Sequence, residues 1–406
     1  MKILFYLPAV TPWWFETIIA PMLRALHGEA ELHVVVAPLW CNTGLEMEHV
    51  EPLADLNAIN WHIVVPDDPA AFRLDGRAVD GLLDLVHAIE PDITIARSAD
   101  RVTPRLFPGV VRYITEPGAE PILAPHGWCV LDEQPFHHGV MPAAAAAATD
   151  HATRLLTPYW EGLEAVHAGQ ANDLVRAQMG LPLDRPVLVV PLQYEHHENF
   201  YGIGSPFHHG PEFVEELIER LDPRIMLAIT DHPLNNHIPL RNLGRITDRH
   251  PDRIRLYRYD EVRRSPTSCL IRAADGVLLD QSKCVSHAMF FGTPIVHVGD
   301  SVMAPWLNAT RLEALDAERF AKRALPRPDR ESARRWFGWH YGTRLINPEE
   351  TTLETLVNRV ENRCSDAEVA ASITAQEFLL TSSVERAAKI AAMAPPTADF
   401  GDRQAA

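Results

Sequence analysis

Two short polar stretches, each following an apolar run, hold the residue types best suited to chemistry. Thr230-Asp231-His232-Pro233 follows Ile225-Met226-Leu227-Ala228-Ile229, and Asp280-Gln281-Ser282-Lys283-Cys284-Val285-Ser286 follows Gly276-Val277-Leu278-Leu279. In open α/β sheets the ligand crevice lies outside the carboxyl ends of the strands. An acid and an imidazole at one such end, and hydroxyls leading into a helix at another, therefore describe one site. Asp231 can serve as a carboxylate nucleophile, or can orient His232 or cap a turn. Pro233 would fix that turn. Ser282 and Ser286 can hold a phosphate together with backbone N–H groups at a helix start, or act as ordinary N-caps.

Further candidates stand where other strands end. Gln193 closes the run Pro186-Val187-Leu188-Val189-Val190-Pro191-Leu192 and, like Gln281, offers hydrogen bonds to a ligand. Arg97 follows Asp92-Ile93-Thr94-Ile95-Ala96 and can clamp a carboxylate or phosphate bidentately. The run from Ala152 to Trp160 reads as an apolar strand stopped at Pro158. That reading leaves Glu161 at a strand end as an acid/base candidate, although a surface helix glutamate fits the same residue. Trp13 and Trp14 can stack on a sugar or pack a domain face. The pairs His137-His138, His196-His197 and His208-His209 read as solvated loop residues, because no spacing sets two of them on one helical face with a carboxylate. No metal site is expected.

The elements that must position these groups alternate. The chain opens β-α-β, with strands at 2–8 and 31–37 around a helix at 13–26, and there is no GxGxxG between strand and helix. Strands at 60–65, 92–96 and 111–116 and a helix at 79–89 continue the pattern. After the Gly- and Pro-punctuated linker at 180–186, strands at 186–193, 225–229, 253–257, 276–279 and 295–298 repeat it. Such alternation implies parallel sheets with helices on both faces. The expected domains are 1–180 and 186–330, followed by amphipathic helices over 331–394 and a disordered Pro/Ala-rich tail at 395–406.

Composition bounds the rest. A chain of 406 residues, 47% hydrophobic and 22% charged, is long enough for two cores. Its net charge of -17 argues against nucleic-acid partners, but not against a small anion held by local arginines. No run approaches the roughly 20 apolar residues of a membrane span, and the start lacks the features of a signal peptide. A cytoplasmic protein is the expectation. Five scattered cysteines without a CxxC pair support neither a disulfide framework nor a zinc site.

Taken in order, strand-Pro191-Leu192-Gln193, strand-Asp231-His232-Pro233, and Asp280-Gln281-Ser282-x-x-x-Ser286 with its helix and Gly292-Thr293-Pro294-Ile295-Val296 resemble the nucleotide-binding half of GT-B glycosyltransferases. More narrowly, the block is similar to bacterial capsule and lipopolysaccharide enzymes that use CMP-linked acids, the retaining β-Kdo transferases. It covers 186–298; the N-terminal half matches mainly in its β/α pattern. The resemblance implies two Rossmann-like domains facing a central cleft, with C-terminal helices crossing back to the first. It also implies a CMP-β-Kdo donor, no cofactor or metal, and a bacterial surface glycan as acceptor, lipid-linked at the inner face of the cytoplasmic membrane beside polysaccharide-assembly machinery.

On that reading the donor-binding residues are Arg97, Gln193, Pro233, Gln281, Ser282 and Ser286. His232 contacts the phosphate or the cytidine, Asp231 meets the reacting carbon, Glu161 serves the acceptor hydroxyl, and 117–141 faces the acceptor. A single bridging phosphate needs no metal to span a pyrophosphate, which suits the absence of a DxD. The alternatives are a GT-B enzyme using another CMP- or UDP-sugar, an epimerase of the same fold, and a non-catalytic glycan-binding or scaffold protein. A UDP-sugar would call for groups to hold a second phosphate, and a scaffold needs no polar constellation at strand ends.

Overall fold

The computed structural model describes residues 1–169, 171–202, 205, 210–232, 241–257 and 266–392. Pro233, the pair His208-His209 and the tail at 395–406 lie outside them. Fourteen strands are present among the described residues: β1 Lys2–Tyr6, β2 Glu31–Val36, β3 Ile59–Ile63, β4 Ile93–Ala96, β5 Val110–Thr115, β6 Val130–Asp132, β7 His137–His138, β8 Val187–Pro191, β9 Met226–Thr230, β10 Ile254–Tyr257, β11 Gly276–Leu279, β12 Ile295–His297, β13 Val302–Met303 and β14 Thr310–Arg311.

They form two six-stranded sheets, in the orders β3-β2-β1-β4-β5-β6 and β10-β9-β8-β11-β12-β14, and a two-stranded sheet of β7 and β13. All pairs in the large sheets are parallel except β5 with β6. Both orders reverse beside the first strand of the half, between β1 and β4 and between β8 and β11. These are the topological switch points at which doubly wound sheets bind ligands.

Each sheet is buried on both faces, as parallel pairing by crossover helices requires. In the first, Ile3, Phe5, Val34 and Ile95 pack under the helical stretch 15–26, while Leu4, Tyr6 and Val35 face the helix Leu82–Ile89. In the second, Leu188, Val190, Leu227 and Leu278 pack with the helix Gly210–Arg220. The opposite face, with Val187, Val189, Ala228 and Val277, shares a core with the long helix Ala146–Ala168 and with Trp336, Phe337 and Leu380 of the C-terminal helices. The helix Leu353–Val360 places Leu356 and Val360 in the core of the first sheet. The C-terminal helices thus touch both halves.

One segment departs from its sequence reading. Residues 152–161 are the middle of the helix Ala146–Ala168 and no strand ends there. Pro158 forfeits a helical hydrogen bond, a cost of about 3 kcal/mol. Burial of Ala148, Ala152, Leu156, Trp160 and Leu163 along one stripe of that helix outweighs it, at about 1.5–3 kcal/mol for each large apolar side chain.

His137-His138 also differs from expectation. It forms β7, paired in register with Val302 and Met303. His138 is buried, and its Nε2 lies 3.2 Å from the Asp280 carbonyl oxygen. Residues 117–141 are likewise less open than a long loop suggests. The Tyr341 hydroxyl donates to the Ile122 carbonyl (2.8 Å), His340 Nε2 donates to the Pro117 carbonyl (2.7 Å), and Cys129 bridges to Ile346. The segment joins the first sheet to the C-terminal helices and, through β7, to the second half.

Candidate functional site

The carboxyl ends of the two sheets face one another, and side chains from both meet between them. On the first side, Trp14 lies beyond β1, Arg97 follows β4, and Glu116 follows β5. On the second, Gln193 follows β8, Asp231 and His232 follow β9, and Gln281, Ser282 and Lys283 follow β11. Strand polarity alone puts all of them at one level.

Arg97 is the best-fixed charge of the group. Its guanidinium carbon lies 3.9 Å from the Trp14 ring centroid and 5.0 Å from that of Tyr201, a residue of the opposite half. Aromatic faces attract a guanidinium through their quadrupole. The two rings therefore hold Arg97 in a slot made by both halves. Its Nε is buried with no hydrogen-bond partner among the described residues.

Glu116 pairs with Lys283 across the cleft and accepts a hydrogen bond from Trp14 Nε1 at 3.0 Å. The Glu116 and Lys283 side chains keep 41% and 45% of their surface, so the pair borders open solvent. Protein around the Glu116 carboxyl would raise its pKa, but the charges of Lys283 and Arg97 and the bonds from Lys283 and Trp14 win and hold it down at about 2. Gly118 makes room for the lysine stem: a Cβ there would stand 3.0 Å from Lys283 Cδ.

Asp231 is 6% exposed, and its Oδ1 accepts the His232 backbone N–H at 2.8 Å. The turn-capping reading of this residue thus has a hydrogen bond behind it, and a second role must coexist with that bond. The His232 ring lies 5.4 Å from Tyr194, whose own ring stacks on His196 at 5.3 Å. Burial first, then Lys283, lowers the His232 pKa to about 4. The imidazole is therefore neutral at pH 7 and available as a hydrogen-bonding group rather than a cation.

Gln281 is a second cross-cleft tie. With its amide oriented to satisfy both ends, the NH2 donates to the Tyr201 carbonyl (2.9 Å) and Oε1 accepts from Arg101 of the first half (2.7 Å). Gln193 Oε1 stands 3.7 Å from the Cβ position of Gly202, next to Tyr201 in the chain. Ser282 Oγ accepts the Cys284 N–H at 3.2 Å. Ser286 is 1% exposed, and its hydroxyl donates to the Lys283 carbonyl (2.8 Å). Both serines thus brace the first turn of the helix Val285–Phe291, and Ser286 presents no surface to the cleft.

Glu161 stands apart from this group. It is an exposed residue of the helix Ala146–Ala168, next to Gly162, which faces Val384 of the last helix. Its candidacy rested on a strand end that does not exist. Sequence reasoning passed over Glu116, Lys283, Arg101 and Tyr201. The first two had a signal: Glu116 ends an expected strand just as Arg97 does, and Lys283 lies inside the singled-out 280–286 stretch. Tyr201 had none, because only the fold brings it against Arg97.

Two Rossmann-like sheets whose carboxyl ends meet across a cleft define the GT-B class of fold. No protein-family model matches the chain, and no curated protein matches it in sequence. Among solved structures, the chain is similar to the β-Kdo 2,7 transferase KpsC of Thermosulfurimonas dismutans, at 14% identity over 76% of this chain and 98% of that one, with a TM-score of 0.35. It is also similar to the lipopolysaccharide outer core galactosyltransferase WaaB, at 11% identity over 90% and 100%, TM-score 0.36. A UDP-GlcNAc 2-epimerase from Methanocaldococcus jannaschii matches at 14% identity over 82% and 98%, TM-score 0.31. Likenesses this distant carry no argument about substrate, which must come from the residues themselves.

Proposed function

We propose that the chain is a glycosyltransferase that moves an acidic sugar, Kdo from CMP-β-Kdo, with retention of configuration onto a bacterial surface glycan. The observation that carries this reading is that a buried carboxylate, Asp231, follows a strand of the second sheet at the same cleft that the cations Arg97 and Lys283 border. A donor with one bridging phosphate and one sugar carboxylate calls for cations of this kind and for a nucleophile beside them.

In this reading the Asp231 carboxylate attacks the anomeric carbon, the bond from that carbon to the phosphate oxygen breaks, and CMP departs as the anion. The acceptor hydroxyl then displaces Asp231 from the same carbon, which restores the free carboxylate, and gives up its proton to solvent water. Two inversions give net retention. Neutral His232 and Gln193 supply hydrogen bonds on the nucleotide side, and Arg97 takes the sugar carboxylate. Ser282 and the backbone beside it border the phosphate. No cofactor enters the reaction. The acceptor would be lipid-linked and met at the inner face of the cytoplasmic membrane, beside polysaccharide-assembly machinery. Among the described residues no helix is long and apolar enough to cross a membrane, so association would be peripheral.

A second reading, a UDP-sugar transferase or epimerase, is favoured by one feature: Lys283 and Arg97 together offer two cations to one ligand. The test is incubation of purified protein with CMP-Kdo generated in place and a panel of β-linked glycan acceptors, reading CMP release and product mass. Turnover is expected; none with any CMP-acid across the panel would sink the first reading. Turnover of UDP-sugars instead would establish the second.

A further inference from the structure

The cleft carries its own anion. Glu116 sits where two cations from opposite halves converge, Arg97 of the first and Lys283 of the second. Its three polar neighbours differ in kind. Trp14 is 3% exposed and Arg97 lies over its ring and donates to the Ile114 carbonyl, so the first half, which also carries Glu116, holds both. Lys283 is 45% exposed and reaches over from the second half on a flexible stem that lies against Gly118. Of these contacts, the one to Lys283 is the one that can be exchanged. A half-exposed ion pair contributes little net stability, so a ligand anion that adds other contacts can displace it.

We propose that Glu116 is a built-in counter-ion of the anion site: in the empty cleft it occupies Lys283, and a ligand oxyanion binds by taking Lys283 from it. This rests on the reading of the cleft as a site for an anionic donor, and it adds that the affinity of that site is deliberately restrained from within. The ligand chemistry is a single oxyanion, either the phosphate of a nucleotide or the carboxylate of a sugar acid. Electrostatics make the direction of the effect unambiguous. A carboxylate beside the bound anion repels it, and it competes for the same ammonium. Most substitutions that remove a hydrogen-bonding group from a binding site weaken the site. Neutralising this one strengthens it.

The experiment is isothermal titration of the full chain at fixed pH 7.5 and low salt with three probes: CMP, inorganic phosphate and free Kdo. Wild type, Glu116→Gln and Lys283→Gln are compared, with thermal melts confirming that each is folded. Glu116→Gln keeps the acceptor for Trp14 Nε1 and is expected to bind the relevant anion about fivefold more tightly. Lys283→Gln is expected to lose about tenfold or more. A stronger response to CMP and phosphate assigns the phosphate to Lys283, and a stronger response to Kdo assigns the carboxylate. Equal or weaker binding by Glu116→Gln overturns the proposal, as does wild-type affinity in Lys283→Gln, or no binding of any probe by wild type and Glu116→Gln. The two readings fail separately: tighter binding without transfer leaves the counter-ion standing and removes the transferase, and transfer without tighter binding does the reverse.

Discussion

The Arg97 guanidinium lies over Trp14, its carbon 3.9 Å from the ring centroid, with the Tyr201 ring of the facing half 5.0 Å away. Two rings and the Ile114 carbonyl hold the guanidinium in place before a ligand arrives, so less rotamer freedom remains to be lost on binding. Lysine cannot occupy the slot in the same way. Arg97→Lys is expected to raise the donor KM by roughly tenfold, from loss of stacking and of bidentate geometry, with the circular dichroism spectrum unchanged. Steady-state kinetics check this, and an unaltered KM would remove Arg97 from donor binding.

Asp231→Asn keeps an oxygen that can accept the His232 N–H, now at 2.8 Å from Oδ1, and so keeps the turn. It removes the nucleophile. Transfer should fall by at least about a thousandfold while CMP still binds, and intact mass should show a sugar adduct on the wild type alone. Full activity in the variant would leave Asp231 as a turn cap.

Buried histidines, rather than the cleft carboxylate, should set the acid limit of stability. His138 is lowered to about 4 by burial, and His340 to about 3 by burial and then by Arg344. His340 Nδ1 lies 3.1 Å from Arg344, which can only donate, while Nε2 donates to the Pro117 carbonyl, so the ring is neutral. Unfolded histidines titrate near 6.5. Between that value and about 4 the unfolded chain binds more protons than the folded one, so this stability is complete above pH 6.5 and is lost as pH falls towards the folded values. Glu116, held at about 2, loses its contribution only below about pH 4.5. Melting temperature should decline from pH 6.5 to 4.5, and the decline should be shallower in His138→Gln. A flat profile over that window would contradict the assignment.

Gly338→Ala separates propensity from packing. Alanine in a helix is favoured over glycine by about 1 kcal/mol. Here, however, the new Cβ would lie 2.5 Å from Thr153 Oγ1 and 2.8 Å from the Thr153 backbone nitrogen in the long helix. Backbone cannot yield as a side-chain tip can. Net destabilisation of about 1–3 kcal/mol is expected, read by denaturant melts; a more stable variant would show that the two helices can move apart.

Much of this architecture is legible in the chain itself. Runs such as Val187-Leu188-Val189-Val190 and Met226-Leu227-Ala228-Ile229 are apolar at every position because parallel strands are buried on both faces, and that local property needs no tertiary information. The same runs say where strands end, so Arg97, Gln193, Asp231, His232 and Gln281 could be found at the level of the cleft from sequence. The period of a mixed segment is harder to read. At 152–161 a proline and neighbouring apolar residues imitate a strand stop, and only the packing of Leu156 and Trp160 into a shared core decides for helix. Tertiary structure alone decided which strand ends meet. Arg97 against Tyr201, Glu116 on Lys283 and Gln281 with Arg101 join residues about a hundred or more positions apart. No local preference encodes such pairings, because each half folds on its own hydrophobic pattern and the contacts between them follow only from how the two finished surfaces fit.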